Sequence, residues 1–280
     1  MAGSAILRTA FQDKWALVTG ASAGIGEALA VQLAAAGANL ILTARRADRL
    51  EALARRLESE HKIRTRVLPA DLADPAAVQQ LFDATEGQGT AVDVLINNAG
   101  FGYYGEFVTG DPAWHRTMVD VNCTAVMDLT RLFLSKMVDR RRGWVMIVAS
   151  TAAYQPVAYM ATYAATKAFD RMLAEALAAE TARFGIRVSA LCPGPTESEF
   201  GQVAGSPPAA GRGRGFQSAE VVARRGLEGL VRGKHWVIPS FVNGATVFVQ
   251  RFLPRRFVTG AAERAFRPEN VTAALKKSGT

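Results

Sequence analysis

Residues 15–26 read Trp15-Ala16-Leu17-Val18-Thr19-Gly20-Ala21-Ser22-Ala23-Gly24-Ile25-Gly26. An apolar, β-branched run gives way to a glycine-rich turn and then to an Ala/Leu stretch with helical spacing. This order predicts a strand, a tight turn and a helix. Glycine lets the backbone of such a turn approach a pyrophosphate, where a Cβ would block it. The following helix aims its first N–H groups and the positive end of its dipole at the same point. A strand, a phosphate-binding turn and a helix are the opening unit of a doubly wound α/β fold.

The rest of the chain repeats that alternation. Strands are predicted at residues 15–19, 39–43, 64–69, 92–96, 144–149, 187–191 and 236–238. Helices are predicted at 26–36, 46–60, 75–86, 112–138, 161–184 and 219–231. The pattern implies a Rossmann-type parallel sheet of about seven strands with helices on both faces. One catalytic domain is expected over residues 1–238, its halves meeting near 150, followed by an amphipathic extension over 239–280. Residues 201–215 are rich in Gly, Pro, Ala and Arg and read as a mobile loop. In the extension, Phe241, Ala245, Phe248 and Phe252, with Val242, Val249 and Leu253 beside them, form one apolar stripe. Asn243, Thr246 and Gln250 lie opposite, and Arg251, Arg255 and Arg256 follow. Two readings of this tail stand. It lies on an anionic membrane surface, or it packs against the domain, covers the substrate pocket as a lid, or forms a subunit contact.

Composition narrows the function classes. A chain of 280 residues that is 49% hydrophobic buries a large core. The net charge of +8 comes without any Lys/Arg run resembling a nucleic-acid arm, so it reads as a solvated surface and no nucleic-acid partner is expected. Cys123 and Cys192 sit in apolar stretches, as reduced thiols do, and a cytoplasmic setting is expected. His61, His115 and His235 are scattered and give no metal-ligand spacing. No leader of charged-then-apolar type precedes Trp15, so no secretory signal is expected. No apolar run reaches the roughly 18 residues of a membrane-spanning helix.

The end of the second predicted strand reads Thr43-Ala44-Arg45-Arg46. An acidic residue there would hold a ribose 2′-OH, whereas arginine suits a 2′-phosphate through its charge and paired donors. Arg45 therefore points to NADP(H), while Arg46 begins a charged helix face. Further on, Tyr163-Ala164-Ala165-Thr166-Lys167 places a phenol and an ammonium one helical turn apart. A phenol titrates near pH 10 in isolation. The neighbouring ammonium and an oxidised nicotinamide are expected to lower that value and make the phenol an acid/base at neutral pH. Ser150, at the end of the fifth strand, is placed to donate to a substrate oxygen.

These segments resemble the short-chain dehydrogenase/reductase family. Thr19–Gly26 is similar to its T-G-x-x-x-G-x-G turn, Asn97-Asn98-Ala99-Gly100 to its N-N-A-G element, and Cys192-Pro193-Gly194-Pro195-Thr196 to its P-G turn. The resemblance implies that Gly20, Ser22, Ala23, Gly24, Ile25 and Gly26 meet the cofactor phosphates. It implies that Asp71 and Leu72 meet the adenine and that Asn98, Ala99 and Gly100 pass the adenosine side. Pro193, Gly194 and Thr196 then border the nicotinamide. Asp71 reads equally well as a turn carboxylate. By the same resemblance Tyr163 exchanges the proton and Lys167 tunes it and binds the nicotinamide ribose. Ser150 orients the substrate oxygen, and Asn122 links the lysine to solvent through water.

The implied reaction interconverts a carbonyl and an alcohol by hydride transfer. The substrate pocket is expected from residues 154–160, 201–215 and 101–104, lined for a hydrophobic small molecule. The family also implies a homodimer or homotetramer built on the helices carrying Asn122 and Tyr163. Ala153 departs from the family, which often has glycine there, and the tail lies outside the shared core. A non-catalytic NADP(H)-binding sensor on the same fold would be expected to lack one of the catalytic positions, and all are present here.

Overall fold

The computed structural model describes residues 2–206 and 216–268. Seven strands form one parallel sheet: β1 Trp15–Thr19, β2 Asn39–Thr43, β3 Thr65–Val67, β4 Val92–Asn97, β5 Gly143–Val148, β6 Ile186–Leu191 and β7 Trp236–Val237. Their order is β3-β2-β1-β4-β5-β6-β7. Each parallel pairing needs a crossover, and helices supply them on both faces. The helices are α1 Ala2–Phe11, α2 Gly24–Ala35, α3 Ala47–His61, α4 Pro75–Asp83, α5 Pro112–Val119, α6 Ala125–Arg140, α7 Ala161–Thr181, the single turn α8 Phe200–Val203, α9 Ala219–Val231, α10 Phe241–Val249 and α11 Arg255–Phe266.

Strand alternation divides the core. Ala16, Val18, Leu40, Leu42, Val94 and Ile96 face α1, α2, α3 and α9. Leu17, Ile41 and Leu95 face α4, α6 and α7. With both faces covered, β2 and β4 are buried along their whole length, and their middles, residues 40–42 and 94–96, read as short apolar runs. Strand order reverses between β1 and β4. Chains leave these two strands in opposite directions, so a crevice opens at their carboxyl ends.

Four expectations change. Helix α1 was not foreseen, because only Leu7 and Phe11 are fully buried on it. Two anchors make too short a stripe to read, yet the Phe11 ring meets Trp144 edge-on at 5.6 Å. β3 contracts to three residues at the sheet edge, although Leu68 N still donates to Leu42 O at 3.0 Å. The long helix expected over 112–138 reaches Arg140 but contains a π-turn at Asp120–Thr124, and the extra residue presents Asn122 to the Phe101 backbone.

The tail differs most. Helix α10 docks by its polar side: Val247 is buried, and Asn243, Thr246 and Gln250 line the cleft described below. Its apolar stripe faces outward, so packing of that stripe on the domain is not what forms the contact. The loop expected over 201–215 begins inside α8; residues 207–215 lie outside the described residues, as do 269–280 of the tail.

Candidate active site

The crevice between β1 and β4 widens into a cleft of about 560 Å³. Thr19 locks its floor. The Thr19 hydroxyl accepts from the backbone amides of Asn98 and Ala99, both at 2.9 Å, and donates to Ile96 O at 3.3 Å. The Asn98 side chain returns the bond, donating to Thr19 O at 2.9 Å and to Gly20 O at 3.3 Å. This cross-brace leaves no room above Gly20. Its φ is +65°, and a Cβ would stand 2.8 Å from Asn98 Nδ2 and 2.9 Å from Ala99 Cα.

Gly20, Ser22, Ala23, Gly24 and Ile25 line the cleft. Gly26 lies behind them, where a Cβ would strike the Gly20 carbonyl. A glycine cradle at the N-terminus of α2 fits the pyrophosphate of a nicotinamide dinucleotide. Both Arg45 and Arg46 line the mouth beside it. Arg46 is more than a helix-face charge: its guanidinium donates to Ser22 Oγ at 3.0 and 3.2 Å and to Glu199 at 2.7 Å. Glu199 also pairs with Arg49 at 2.7 Å, so one carboxylate bridges two arginines beside the turn. Asp71 and Leu72 line the same end, and Asp71 Oδ1 accepts from Ala73 N at 3.1 Å as a turn carboxylate does.

At the other end Asn98, Ala99, Gly100, Pro193, Gly194 and Thr196 line the cleft, with Ser150, Tyr163 and Lys167 between them. Ser150 caps the turn Thr151–Tyr154, its Oγ accepting from Ala152 N at 3.1 Å, which leaves its proton to donate. Ser150 also favours ionisation of the Tyr163 phenol. Lys167, one turn along α7, donates to Val148 O and to Asp170 Oδ2, both at 2.8 Å. Asn122 does not line the cleft. Its Oδ1 accepts from Phe101 N at 3.1 Å, and its Nδ2 donates to Phe101 O and Thr166 Oγ1 at 3.0 Å. It nevertheless flanks Gly100 together with Lys167.

The sequence profile of the short chain dehydrogenases matches residues 14–207, which contain every one of these groups. The chain belongs to the short-chain dehydrogenase family. It is 33% identical over 192 residues to very-long-chain 3-oxoacyl-CoA reductase-B of Danio rerio, a match covering 67% of this chain and 61% of that one. The matched stretch thus spans about three-fifths of that reductase. A short-chain dehydrogenase from Sphingobium yanoikuyae in complex with NADPH superposes with a TM-score of 0.77 at 29% identity, covering 86% of this chain and 97% of its own. The bulky-bulky ketone specific alcohol dehydrogenase from Comamonas testosteroni superposes at 0.72 with 28% identity, covering 86% and 95%.

Electrostatics in this short-chain dehydrogenase differ from the simple expectation for Tyr163. Burial raises its pKa above the ordinary phenol value, outweighing the lowering by Lys167 and Ser150, while Asp170 adds to the rise. Lys167 is itself buried, yet the negative charge of Asp170 holds its pKa above the ordinary value. Burial pushes Asp170 up to about 6 despite the ammonium beside it. Asp170, fully buried, escaped notice in the sequence. The available signal was an acidic residue on the buried stripe of α7, three positions after Lys167.

The substrate region is partly as expected. Phe101, Gln155, Val157, Met160, Phe200 and Val203 line it. Tyr154 does not. Its hydroxyl turns to Cys192 Sγ at 3.8 Å, and its ring lies under Arg171 at 4.4 Å. Tyr103 stacks edge-on with His115 at 4.8 Å rather than facing the cleft. Phe200 lies 5.0 Å from the Tyr163 ring, and Asn243, Thr246, Val247, Gln250 and Phe266 close the far side, as a covering tail does, although the sequence singled out none of them individually for that role.

Proposed function

We propose that the chain is an NADP(H)-dependent oxidoreductase that interconverts carbonyl and alcohol groups of hydrophobic small molecules. One observation carries this reading: Ser150, Tyr163 and Lys167 meet in the same cleft as the glycine cradle and an arginine-rich mouth. When bound, the cofactor supplies or accepts the hydride. Gly20 through Ile25 would hold its pyrophosphate, Arg45 and Arg46 its 2′-phosphate, and Lys167 its nicotinamide ribose, with Pro193, Gly194 and Thr196 beside the nicotinamide.

The remaining chemistry belongs to side chains. Ser150 donates to the substrate oxygen and stabilises charge building there. Tyr163 gives the proton to that oxygen during reduction and takes it during oxidation. Lys167 opposes the burial that would keep Tyr163 protonated. Asn122 anchors the Phe101 backbone and flanks Lys167 across Gly100, and in this reading it links the ammonium to solvent through a bound water. Val121, Val157, Met160, Phe200 and Val247 exclude water and suit a bulky apolar ketone. We also propose a homodimer or homotetramer built on α5, α6 and α7, which expose Val119, Met127, Phe169 and Met172. The unpaired Cys123 and Cys192 support a reducing, cytoplasmic setting.

The test is oxidation of NADPH and NADH over a series of ketones of increasing bulk. Turnover that prefers NADPH and favours bulky ketones is expected. Tight cofactor binding without turnover in either direction would overturn the reading.

A further inference from the structure

The outward face of the tail carries a dense set of exposed apolar side chains. Phe241 is 88% exposed, Val242 71% and Phe252 74%, and the Phe248 and Phe252 rings stack on one another at 5.4 Å in solvent. Their spacing over α10 and the following turn puts them on one stripe, directly opposite the Asn243, Thr246 and Gln250 side that walls the cleft. Phe257 of α11 adds a further exposed ring. A contiguous apolar patch of this kind marks an interaction surface.

Charge identifies the partner. Between Phe241 and Pro268 the chain carries Arg251, Arg255, Arg256, Arg264 and Arg267 against a single acid, Glu263. That acid is already bonded by Arg267 and by Tyr159 at 2.9 Å. A second copy set against this face by a two-fold axis would bring arginines against arginines. Exposed phenylalanines flanked by arginines that pair with no acid among the described residues instead match the acyl boundary and headgroups of an anionic bilayer.

We propose that α10 and α11 seat this protein on an anionic lipid surface. The apolar stripe enters the acyl boundary, Arg251, Arg255 and Arg256 meet phosphate headgroups, and the side of the cleft walled by Gln250 and Phe266 lies directly behind the docked helices. The consequence for substrates, that lipid-soluble carbonyl compounds reach the cleft from the bilayer, rests on the proposed oxidoreductase activity. The docking itself does not.

The test is co-sedimentation of the full chain with phosphatidylcholine vesicles, with and without about one-third phosphatidylglycerol, in the absence of substrate. Binding to the anionic vesicles, weakened by salt, is expected. The exposed triple variant Phe241→Ser/Phe252→Ser/Phe257→Ser should lower it roughly tenfold or more while NADPH fluorescence binding reports an intact fold. Arg251→Gln/Arg255→Gln/Arg256→Gln should remove the preference for anionic lipid. No binding by the full chain, or equal binding by the Phe variant, would overturn the proposal. So would a concentration-dependent dimer that the Phe variant abolishes without any lipid binding. Because no turnover is measured, failure here leaves the activity reading standing, and failure of that reading leaves this one standing.

Discussion

On the floor of the cleft the Thr19 hydroxyl engages three backbone groups and the Lys167 ammonium engages two acceptors, all within buried strand ends and α7. On its roof, α10 has a single buried residue, Val247, and meets the cleft with an amide, a hydroxyl and another amide. The floor is built from groups that cannot be left unpaired in a low-dielectric interior. The roof is held by few contacts and keeps a large apolar face in solvent. The proposed function therefore puts proton chemistry where the fold is most constrained, and substrate choice where it is least.

The floor should break hardest at Lys167. Lys167→Met leaves the buried Asp170 carboxylate without its cation, which is expected to cost about 3 kcal/mol in denaturant unfolding as well as activity. Adding Asp170→Leu should recover most of the stability and none of the turnover. Recovery of both would assign the pair a purely structural role.

Gly20→Ala comes next. A side chain at φ +65°, pressed on Asn98 and Ala99, is expected to cost about 1–3 kcal/mol and to weaken cofactor binding about tenfold or more. Unchanged NADPH affinity would place the pyrophosphate elsewhere.

Much of this floor was legible in the sequence because its chemistry needs particular residues at fixed spacing. The Thr19–Gly26 turn, Asn98, Ser150 and the Tyr163–Lys167 pair lie together in one cleft, and the sheet has the expected seven strands. What escaped reading had no local signature. Asp170 looks like any helix residue until α7 is seen to bury that side, and Glu199 meets Arg46 from 153 positions away. The tail left two readings open because periodicity alone does not say which face of a helix is covered. An apolar stripe ordinarily faces the core, but here the cleft needs polar groups and takes the opposite side of α10.

Asp170 also sharpens the comparison through pH. In the proposed mechanism oxidation requires Tyr163 as phenolate, and both burial and the Asp170 charge raise its pKa. Asp170→Asn removes one of those causes, so the acidic limb of the oxidation profile should move to lower pH. Movement to higher pH would show that Asp170 acts mainly by holding Lys167 in place.

A smaller effect is expected at the mouth. Glu199 occupies the arginine that a 2′-phosphate would meet. Glu199→Gln should tighten NADPH binding about two- to fivefold, the scale of an exposed ion pair, and change NADH binding less. Equal changes for both cofactors would detach Arg46 from 2′-phosphate recognition.

The central claim, that Tyr163 moves the proton on a floor that binds NADPH independently of it, is tested most directly by Tyr163→Phe. Ketone reduction by NADPH should fall about a thousandfold, while the NADPH titration followed by fluorescence stays unchanged. Turnover surviving within a few-fold would contradict the account and require another proton donor in the cleft.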